Sequence, residues 1–361
     1  MLTRETMDLK RIKAITECAG MSGSEKKVTR LMKEALKDVA DGFDYDNLGS
    51  LICHKKGSGN GPRVMLSSHT DEIGFLVKKI DKQGFLRIIS LNRWWTYTLI
   101  NQEVWVETSE GKMYPGVFGT KFPDEDINNP RYRDLKELYV DLGVRGRENV
   151  LALGIRPGDT ITMRSEFREM TDSDVMMAKA WDDRVGVNII IDVMRQLKND
   201  AIEADLFVCG TVQEEVGYRG GKTCSYKVKP DISITVDVAD CSDYPGCDED
   251  GHKLAGGVVI RHYDTKVLGN QELSKFIQGV AADLGYPADI IVQDVGGGEA
   301  YEIHRQFDGV VTICLSIPSL YIMTPRALVH KSRYIATVNT VAEVIRRLTN
   351  EDLQRFIKSR Q

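Results

Sequence analysis

The sequence predicts an α/β fold, in which a mixed, largely parallel sheet is flanked by helices and carries a small inserted β-rich, barrel-like domain. From about residue 168 onward, strand-like runs alternate with amphipathic helical segments, which is the pattern of a parallel sheet. From about residue 73 to residue 167, short strand-like runs are separated by Gly, Asn and Asp turns, and helical periodicity is weak. We therefore expect residues 1–72 and 168–361 to form one α/β domain, interrupted by an inserted domain at 73–167.

In the first part of the α/β domain, helices should precede the strands. Ser22 lies three residues before Glu25, which is the spacing of a capping box, and apolar residues follow at helical spacing as far as Leu36. After the Gly-rich turn at 57–62, the run RVMLSSH begins a continuous apolar stretch. A strand at 63–68 is therefore expected to be buried on both faces, as in a sheet covered by helices.

In the second part of the α/β domain, the apolar spacing switches repeatedly between the helical and the strand period. The predicted elements are a helix at 183–198, strands at 205–212 and 231–237, a helix at 271–285, a strand at 310–317 and a terminal helix around 338–348.

The composition is that of an ordinary globular protein and excludes several functional classes. The 361 residues include 48 Lys and Arg against 53 Asp and Glu, for a formal net charge of −5. Binding of nucleic acid without sequence preference needs clustered basic residues, so it is not expected. No uncharged apolar run approaches the roughly 20 residues that span a bilayer, and the charged first residues predict no signal peptide. Seven scattered cysteines without a Cys-x-x-Cys pair favour a reduced, cytoplasmic protein.

Ionisable side chains follow the predicted strands at their carboxyl ends. His69 and Asp71 follow the first strand, Glu214 and Glu215 follow the strand at 205–212, and Asp237 ends the strand at 231–237. Asp182 and Asp183 stand directly before a helix, where either could serve only as an N-cap. Each signal alone has an ordinary explanation, such as a turn or a solvated face. Ligands bind beyond the carboxyl ends of strands in open α/β sheets, so these side chains are expected to converge.

Carboxylates that converge in a buried site repel one another unless a cation neutralises them. The sequence therefore predicts one or two divalent metal ions, and oxygen ligands with one imidazole suit zinc, cobalt or manganese. Of the two adjacent glutamates, one could bind metal while the other acts as general base toward a water molecule of lowered pKa. Asp71 is placed to hydrogen-bond the second ring nitrogen of His69 and so to fix the imidazole tautomer.

These motifs resemble those of the dinuclear metallo-aminopeptidases that include glutamyl aminopeptidase and the tetrahedral, deblocking aminopeptidases. The matching stretches are SSHTDEIGF (67–75), AWDDRVG (180–186), QEEVGYRGG (213–221), VDVAD (236–240) and LSIPSLYIMTP (315–325). Their order and spacing match over nearly the whole chain. The resemblance implies a zinc-peptidase-like catalytic domain, an inserted domain used in assembly or dimerisation, and a homo-oligomer, often a dodecamer.

The resemblance also implies a role for each matching residue. It makes His69, Asp182 and Asp237 ligands of one metal ion, with the Asp182 carboxylate bridging to a second ion that Glu215 would also bind. It makes Glu214 the general base and Asp71 the residue that orients His69. The implied metals are Zn2+ or Co2+, with Mn2+ as a further option, and the implied substrates are short peptides.

One position departs from the family pattern. The family carries a histidine ligand of the second metal where this chain has Met323, and a thioether is a poor ligand for such an ion. We therefore expect one firm metal site and a second site that is weak or empty. His330 and His304 are the nearest histidines in the sequence that could compensate.

Three functions compete. The first is a metal-dependent aminopeptidase that removes N-terminal residues from short peptides. The second, suggested by Met323, is a catalytically impaired paralogue that binds peptides or serves as an assembly subunit. The third, a glycosidase with paired carboxylates, is favoured by nothing except the acidic residues.

Overall fold

A computed structural model describes residues 1–121, 133–247 and 252–361. These residues form an eight-stranded sheet, a closed six-stranded barrel and a small three-stranded sheet. The strands are β1 (Gly42–Tyr45), β2 (Leu51–Lys55), β3 (Arg63–His69), β4 (Gly74–Ile80), β5 (Leu86–Leu91), β6 (Glu103–Glu107), β7 (Met113–Gly119), β8 (Tyr139–Asp141), β9 (Thr160–Met163), β10 (Arg168–Glu169), β11 (Val175–Ala178), β12 (Asp205–Thr211), β13 (Ile232–Asp240), β14 (Val258–Tyr263), β15 (Ala288–Val292), β16 (Val311–Ser319) and β17 (Ala327–His330). The helices are α1 (Leu9–Glu17), α2 (Lys26–Leu36), α3 (Arg147–Ala152), α4 (Trp181–Gln196), α5 (Arg219–Val228), α6 (Gln271–Asp283), α7 (Ala300–Ile303), α8 (Lys331–Arg347) and α9 (Asn350–Lys358).

The eight-stranded sheet has the order β1-β2-β12-β3-β13-β16-β14-β15. Its four central strands, β12, β3, β13 and β16, pair in parallel, whereas β2 and β14 run antiparallel to their central neighbours. The parallel register sets His69 opposite Thr211, so the ends of β3 and β12 lie side by side. The predicted mixed, largely parallel sheet is confirmed.

Helices cover both faces of this sheet because its side chains alternate between two apolar cores. On β3, Val64 and Leu66 pack into the main core with α4 and α8, whereas Met65 packs into a second core with α5 and α7. Side chains on successive strand residues point to opposite faces, so a strand with a core on each side is apolar throughout. This explains the continuous apolar run in the sequence.

The six barrel strands have the order β4-β5-β8-β7-β6-β9, and β9 closes the barrel by pairing with β4. The barrel encloses its own apolar core, which includes Phe75, Val104 and Phe118. The predicted barrel-like β-rich part is therefore confirmed as a feature of the fold. The boundaries proposed for the inserted domain, 73 and 167, stay a prediction, and residues 122–132 within that range lie outside the described residues.

Two local predictions need correction. The terminal helix predicted around 338–348 is α8, which begins at Lys331. It begins there because the His330 side chain caps it by accepting a hydrogen bond from Ser332 N. A further helix, α9, then follows. The predicted capping box is wrong: α2 begins at Lys26, and no side-chain hydrogen bond from the described residues caps it. Ser22 Oγ instead donates to Asp71 Oδ2 at 2.6 Å.

A buried charge cluster joins the end of β3 to the start of α4. Lys179 Nζ donates to both carboxylate oxygens of Glu72 at 2.7 Å, and Arg184 Nη2 lies 3.6 Å from Glu72 Oε1. All three side chains are at most 3% exposed. Within the described ranges, none of the helices is long and apolar enough to cross a membrane.

We expect Glu72→Met to destabilise the fold by about 3 kcal/mol or more, because it leaves two buried cations without their shared carboxylate. Urea unfolding measures the change. Glu110→Met is the matched control, since Glu110 is 70% exposed and its pair with Lys112 should contribute little. Equal stability of the two variants would contradict the structural importance of this cluster.

Candidate functional site

A cleft of about 560 Å³ opens where β3, β12 and β13 end at the same edge of the central sheet. Its lining includes His69, Asn92, Asp182, Glu214, Glu215, Tyr218, Asp237, Arg261 and Met323. Five of the six residues to which the sequence analysis gave a metal-binding or catalytic role therefore share one cleft. The sixth, Asp71, is fully buried beneath it.

His69 is the last residue of β3, and its imidazole is only 3% exposed. On one side, its Nε2 lies 3.0 Å from Asp182 Oδ1 and 4.0 Å from Glu214 Oε2. On the other side, its Nδ1 lies 3.2 Å from the Asp71 carbonyl oxygen and 3.4 Å from Asp71 Oδ1. Burial alone would lower the pKa of His69, but these carboxylates raise it well above its ordinary value.

Two groups of potential metal-binding atoms meet at His69. One joins His69 with Asp182 and Glu215, and the other joins it with Asp183 and Asp237. Within each group the donor atoms lie within 4.8 Å of one another, which is close enough to surround one ion. The resemblance grouped Asp182 with Asp237 around the first metal, whereas the group that contains Asp237 here also contains Asp183.

Asp182 and Asp183 precede the regular part of α4, with non-helical backbone angles and a cis peptide bond between them. Asp183 is fully buried; it accepts a hydrogen bond from Gly186 N at 3.1 Å, as an N-cap does, and another from Ser68 Oγ. Asp182 instead points toward His69. The helix-capping alternative thus describes Asp183, while Asp182 faces the cleft.

Among the described residues, the acidic side chains around the cleft outnumber the cationic groups that face them, His69 and Arg261. Burial raises the pKa values of Asp183, Glu214 and Glu215 well above those of ordinary carboxyl groups. Asn92 Nδ2 donates to one oxygen of Glu215, but the other, Oε1, is buried and has no hydrogen-bond partner among the residues that the structure describes. A buried acceptor without a partner is costly, and a cation coordinated by it would remove that cost. The donor set therefore fits a divalent metal ion.

Three residues of the cleft were not found from the sequence. Asn92 follows β5, so the barrel contributes a side chain to the site. Arg261 Nη1 lies 3.3 Å from Asp237 Oδ2, while its Nε donates to Ser316 Oγ at 2.9 Å. Tyr218 also lines the cleft, and burial raises its pKa to about 12, so its hydroxyl stays protonated. No local sequence pattern could identify them, because each reaches the site only through tertiary packing.

Met323 lies in the cleft beside Ile322, and its backbone φ of 60° is in the left-handed region. Neither histidine considered as a substitute lines the cleft in the described part of the chain. His330 Nδ1 is within 2.7 Å of Ser332 Oγ, and His304 Nδ1 is within 2.9 Å of the Ala300 carbonyl oxygen. Both histidines are therefore satisfied locally.

Comparison with known proteins points to one family. A family model described as M42 glutamyl aminopeptidase matches residues 49–340. Lysyl aminopeptidase from Pyrococcus furiosus is 32% identical over 320 residues, covering 87% of this chain and 90% of its own. The crystal structure of a TET aminopeptidase from the marine sediment archaeon Thaumarchaeota archaeon SCGC AB-539-E09 is 30% identical, has a TM-score of 0.92, and matches across 96% of this chain and 98% of that one.

A third similar protein is one whose assembly is described. The Pyrococcus horikoshii TET1 peptidase, described as assembling into a tetrahedron or a large octahedral shell, is 26% identical with a TM-score of 0.85. The match covers 94% of this chain and 99% of that one. The similarity therefore extends over the barrel as well as the central sheet.

Metal binding to the folded cleft should raise the midpoint of thermal unfolding. A ligand that binds only the folded state stabilises it by about 2.7 kcal/mol at a free concentration 100 times its Kd. We expect Mn2+ or Zn2+ to raise the midpoint of chelator-treated protein, and Asp237→Asn to reduce that rise. Asp38→Asn, outside the cleft, should respond like the parent. An unchanged midpoint with every metal would contradict a metal site here.

Proposed function

This chain belongs to the M42 glutamyl aminopeptidase family and is a metal-dependent exopeptidase; we propose that it removes N-terminal residues from short peptides in the cleft at the end of the central sheet. One observation carries the proposal: four carboxylates and an imidazole surround a space where Glu215 Oε1 is buried with no partner in the described part of the chain. Such an arrangement has little purpose in a protein without a bound cation.

The proposed metal ligands are His69, Asp182, Glu215 and Asp237, and Asp183 is a further candidate because it is grouped with Asp237. A bound Zn2+, Co2+ or Mn2+ ion would act as a Lewis acid on the peptide carbonyl and lower the pKa of water. Asp71 would hold His69, because both its carbonyl and its carboxylate face the Nδ1 atom. Arg261 would hold Asp237 in the same way, through its Nη1.

The proposed general base is Glu214. Its Oε2 lies 4.0 Å from His69 Nε2, so its carboxylate faces the same space as the proposed ligands. Glu214 would take a proton from the attacking water and return it to the amine nitrogen as the carbon–nitrogen bond breaks. The retained base and the retained ligands argue against the impaired-paralogue alternative, and family membership argues against a glycosidase.

We also propose that the protein acts as a homo-oligomer, such as a dodecamer, in the cytoplasm. Support for assembly is the similarity to TET aminopeptidases, one of which forms closed shells. Support for the location is that all seven cysteines are free thiols, as in a reducing compartment.

Glu214→Gln should lower kcat by about 10²–10⁴-fold, because the amide cannot accept the proton from water. Bound metal, measured by elemental analysis, should stay at the parent level, since Glu214 is not a proposed ligand. The assay is hydrolysis of a panel of aminoacyl anilides with added Zn2+, Co2+ or Mn2+. The exposed substitution Glu110→Gln is the control. Parent-like activity of Glu214→Gln would exclude Glu214 as the base.

Met323→His should raise bound metal from about one to about two ions per chain, because an imidazole is a stronger ligand than a thioether for these ions. Met323→Leu, which keeps the size and removes the sulfur, should bind as many ions as the parent. Two tightly bound ions in the parent would show instead that the second site is complete without a histidine at this position.

A further inference from the structure

The turn that carries Glu214 and Glu215 is held by two buried carboxylates through its backbone. Gln213 N donates to Glu25 Oε1 at 2.9 Å, Glu214 N donates to Asp71 Oδ1 at 3.0 Å, and Glu215 N donates to Asp71 Oδ2 at 3.1 Å. Three consecutive peptide N–H groups are thus bound one after another. Asp71, whose pKa is lowered by hydrogen bonds from His69 and Ser22 despite its burial, accepts two of the three bonds, and hydrogen bonds to an ionised acceptor are the stronger kind.

The turn needs such an attachment because its backbone is in an uncommon conformation. β12 ends at Thr211, so the residues that follow lack the support of sheet pairing. Gln213 has a φ of 55°, in the left-handed region that non-glycine residues seldom adopt. Such conformations persist only where the surroundings impose them. The direction in which Glu214 and Glu215 leave the backbone therefore depends on what fixes Gln213.

Holding the Gln213 peptide is the main role that the structure shows for the Glu25 side chain. Glu25 is only 4% exposed. Among the described residues, no Lys or Arg side chain pairs with its carboxylate. Its Oε1 also accepts a hydrogen bond from Gly23 N at 2.7 Å. Burial, followed by repulsion from Asp71, raises the pKa of Glu25 to about 7, so its position is an unfavourable one for an ionised carboxylate.

We propose that Glu25 is a positioning residue for the hydrolysis, which fixes the Gln213 peptide and thereby aims Glu214 and Glu215 into the cleft. This proposal rests on the proposed function of the cleft. Ser22 supports the same turn indirectly. Its hydroxyl donates to Asp71 Oδ2 at 2.6 Å, and Asp71 holds the peptide N–H groups of Glu214 and Glu215. A single loop at 22–25 thus supports both the proposed base and a proposed ligand.

The test compares two substitutions of similar size. Glu25→Met removes the acceptor, so we expect kcat to fall about tenfold or more, because a small displacement of a catalytic group is costly. Glu25→Gln keeps an oxygen acceptor and should stay within about threefold of the parent. KM should change by less than about twofold in both, because Glu25 does not reach the substrate. Bound metal and the urea midpoint are measured alongside.

Glu34→Met is the control, because Glu34 lies in α2, the helix that begins directly after Glu25, is 66% exposed and should leave kcat unchanged. Parent-like kcat in Glu25→Met, a change confined to KM, or equal losses in the Met and Gln variants would each overturn the positioning role. If Glu25→Met does not fold, Glu25→Ser, which admits water to the vacated space, is judged by the same criteria.

The parent is assayed first, so that failure of the proposed function can be distinguished from failure of the proposed role of Glu25. A parent that hydrolyses no aminoacyl anilide with any of the metals refutes the proposed function. An active parent whose Glu25→Met variant is equally active refutes only the role of Glu25.

Discussion

Electrostatic repulsion among buried carboxylates is the constraint on which this site depends. Asp182, Asp183, Glu214, Glu215 and Asp237 come from three separate parts of the chain and meet at one edge of the sheet. Neither the single imidazole nor Arg261 is enough to neutralise them. A bound cation would offset this repulsion, so the acidic cluster that the fold assembles fits the metal dependence of the family.

The scaffold meets this constraint by fixing the acidic groups through backbone and side-chain hydrogen bonds. Asp71 is the central element, since it faces His69 on one side and accepts two peptide N–H groups on the other. Burial alone would raise the pKa of Asp71, yet the bonds from His69 and Ser22 hold it below its usual value. One ionised carboxylate thus links the imidazole to the turn that carries the two glutamates.

Sequence reasoning found the parts of the site that local chemistry and parallel topology determine. His69 ends β3, and Glu214 and Glu215 follow β12. Asp237, predicted to end its strand, lies within the last four residues of β13 instead. Parallel pairing brings these strand ends together. It could not separate Asp182 from Asp183, because that distinction depends on backbone angles before α4. It misread Ser22 and Glu25 as a helix cap, since their real partners lie about 50 and 190 residues away along the chain.

The fold class was predictable because the spacing of apolar residues distinguishes helices from strands, and because a strand between two cores is apolar throughout. Contributions from tertiary packing, between the barrel and the sheet or between strands of the sheet, were not. Asn92 and Arg261 carry no local signal, and only the folded chain brings them to Glu215 and Asp237.

The position of Asn92 has a consequence for the architecture. It stands directly after a barrel strand, yet its amide donates to Glu215 at the end of the central sheet. The barrel and the sheet are therefore not interchangeable modules, although each has a separate apolar core. Excising the barrel to obtain a smaller enzyme would remove this hydrogen bond to Glu215 even if the remainder folded well, and a barrel grafted from a relative would need an equivalent donor at this position.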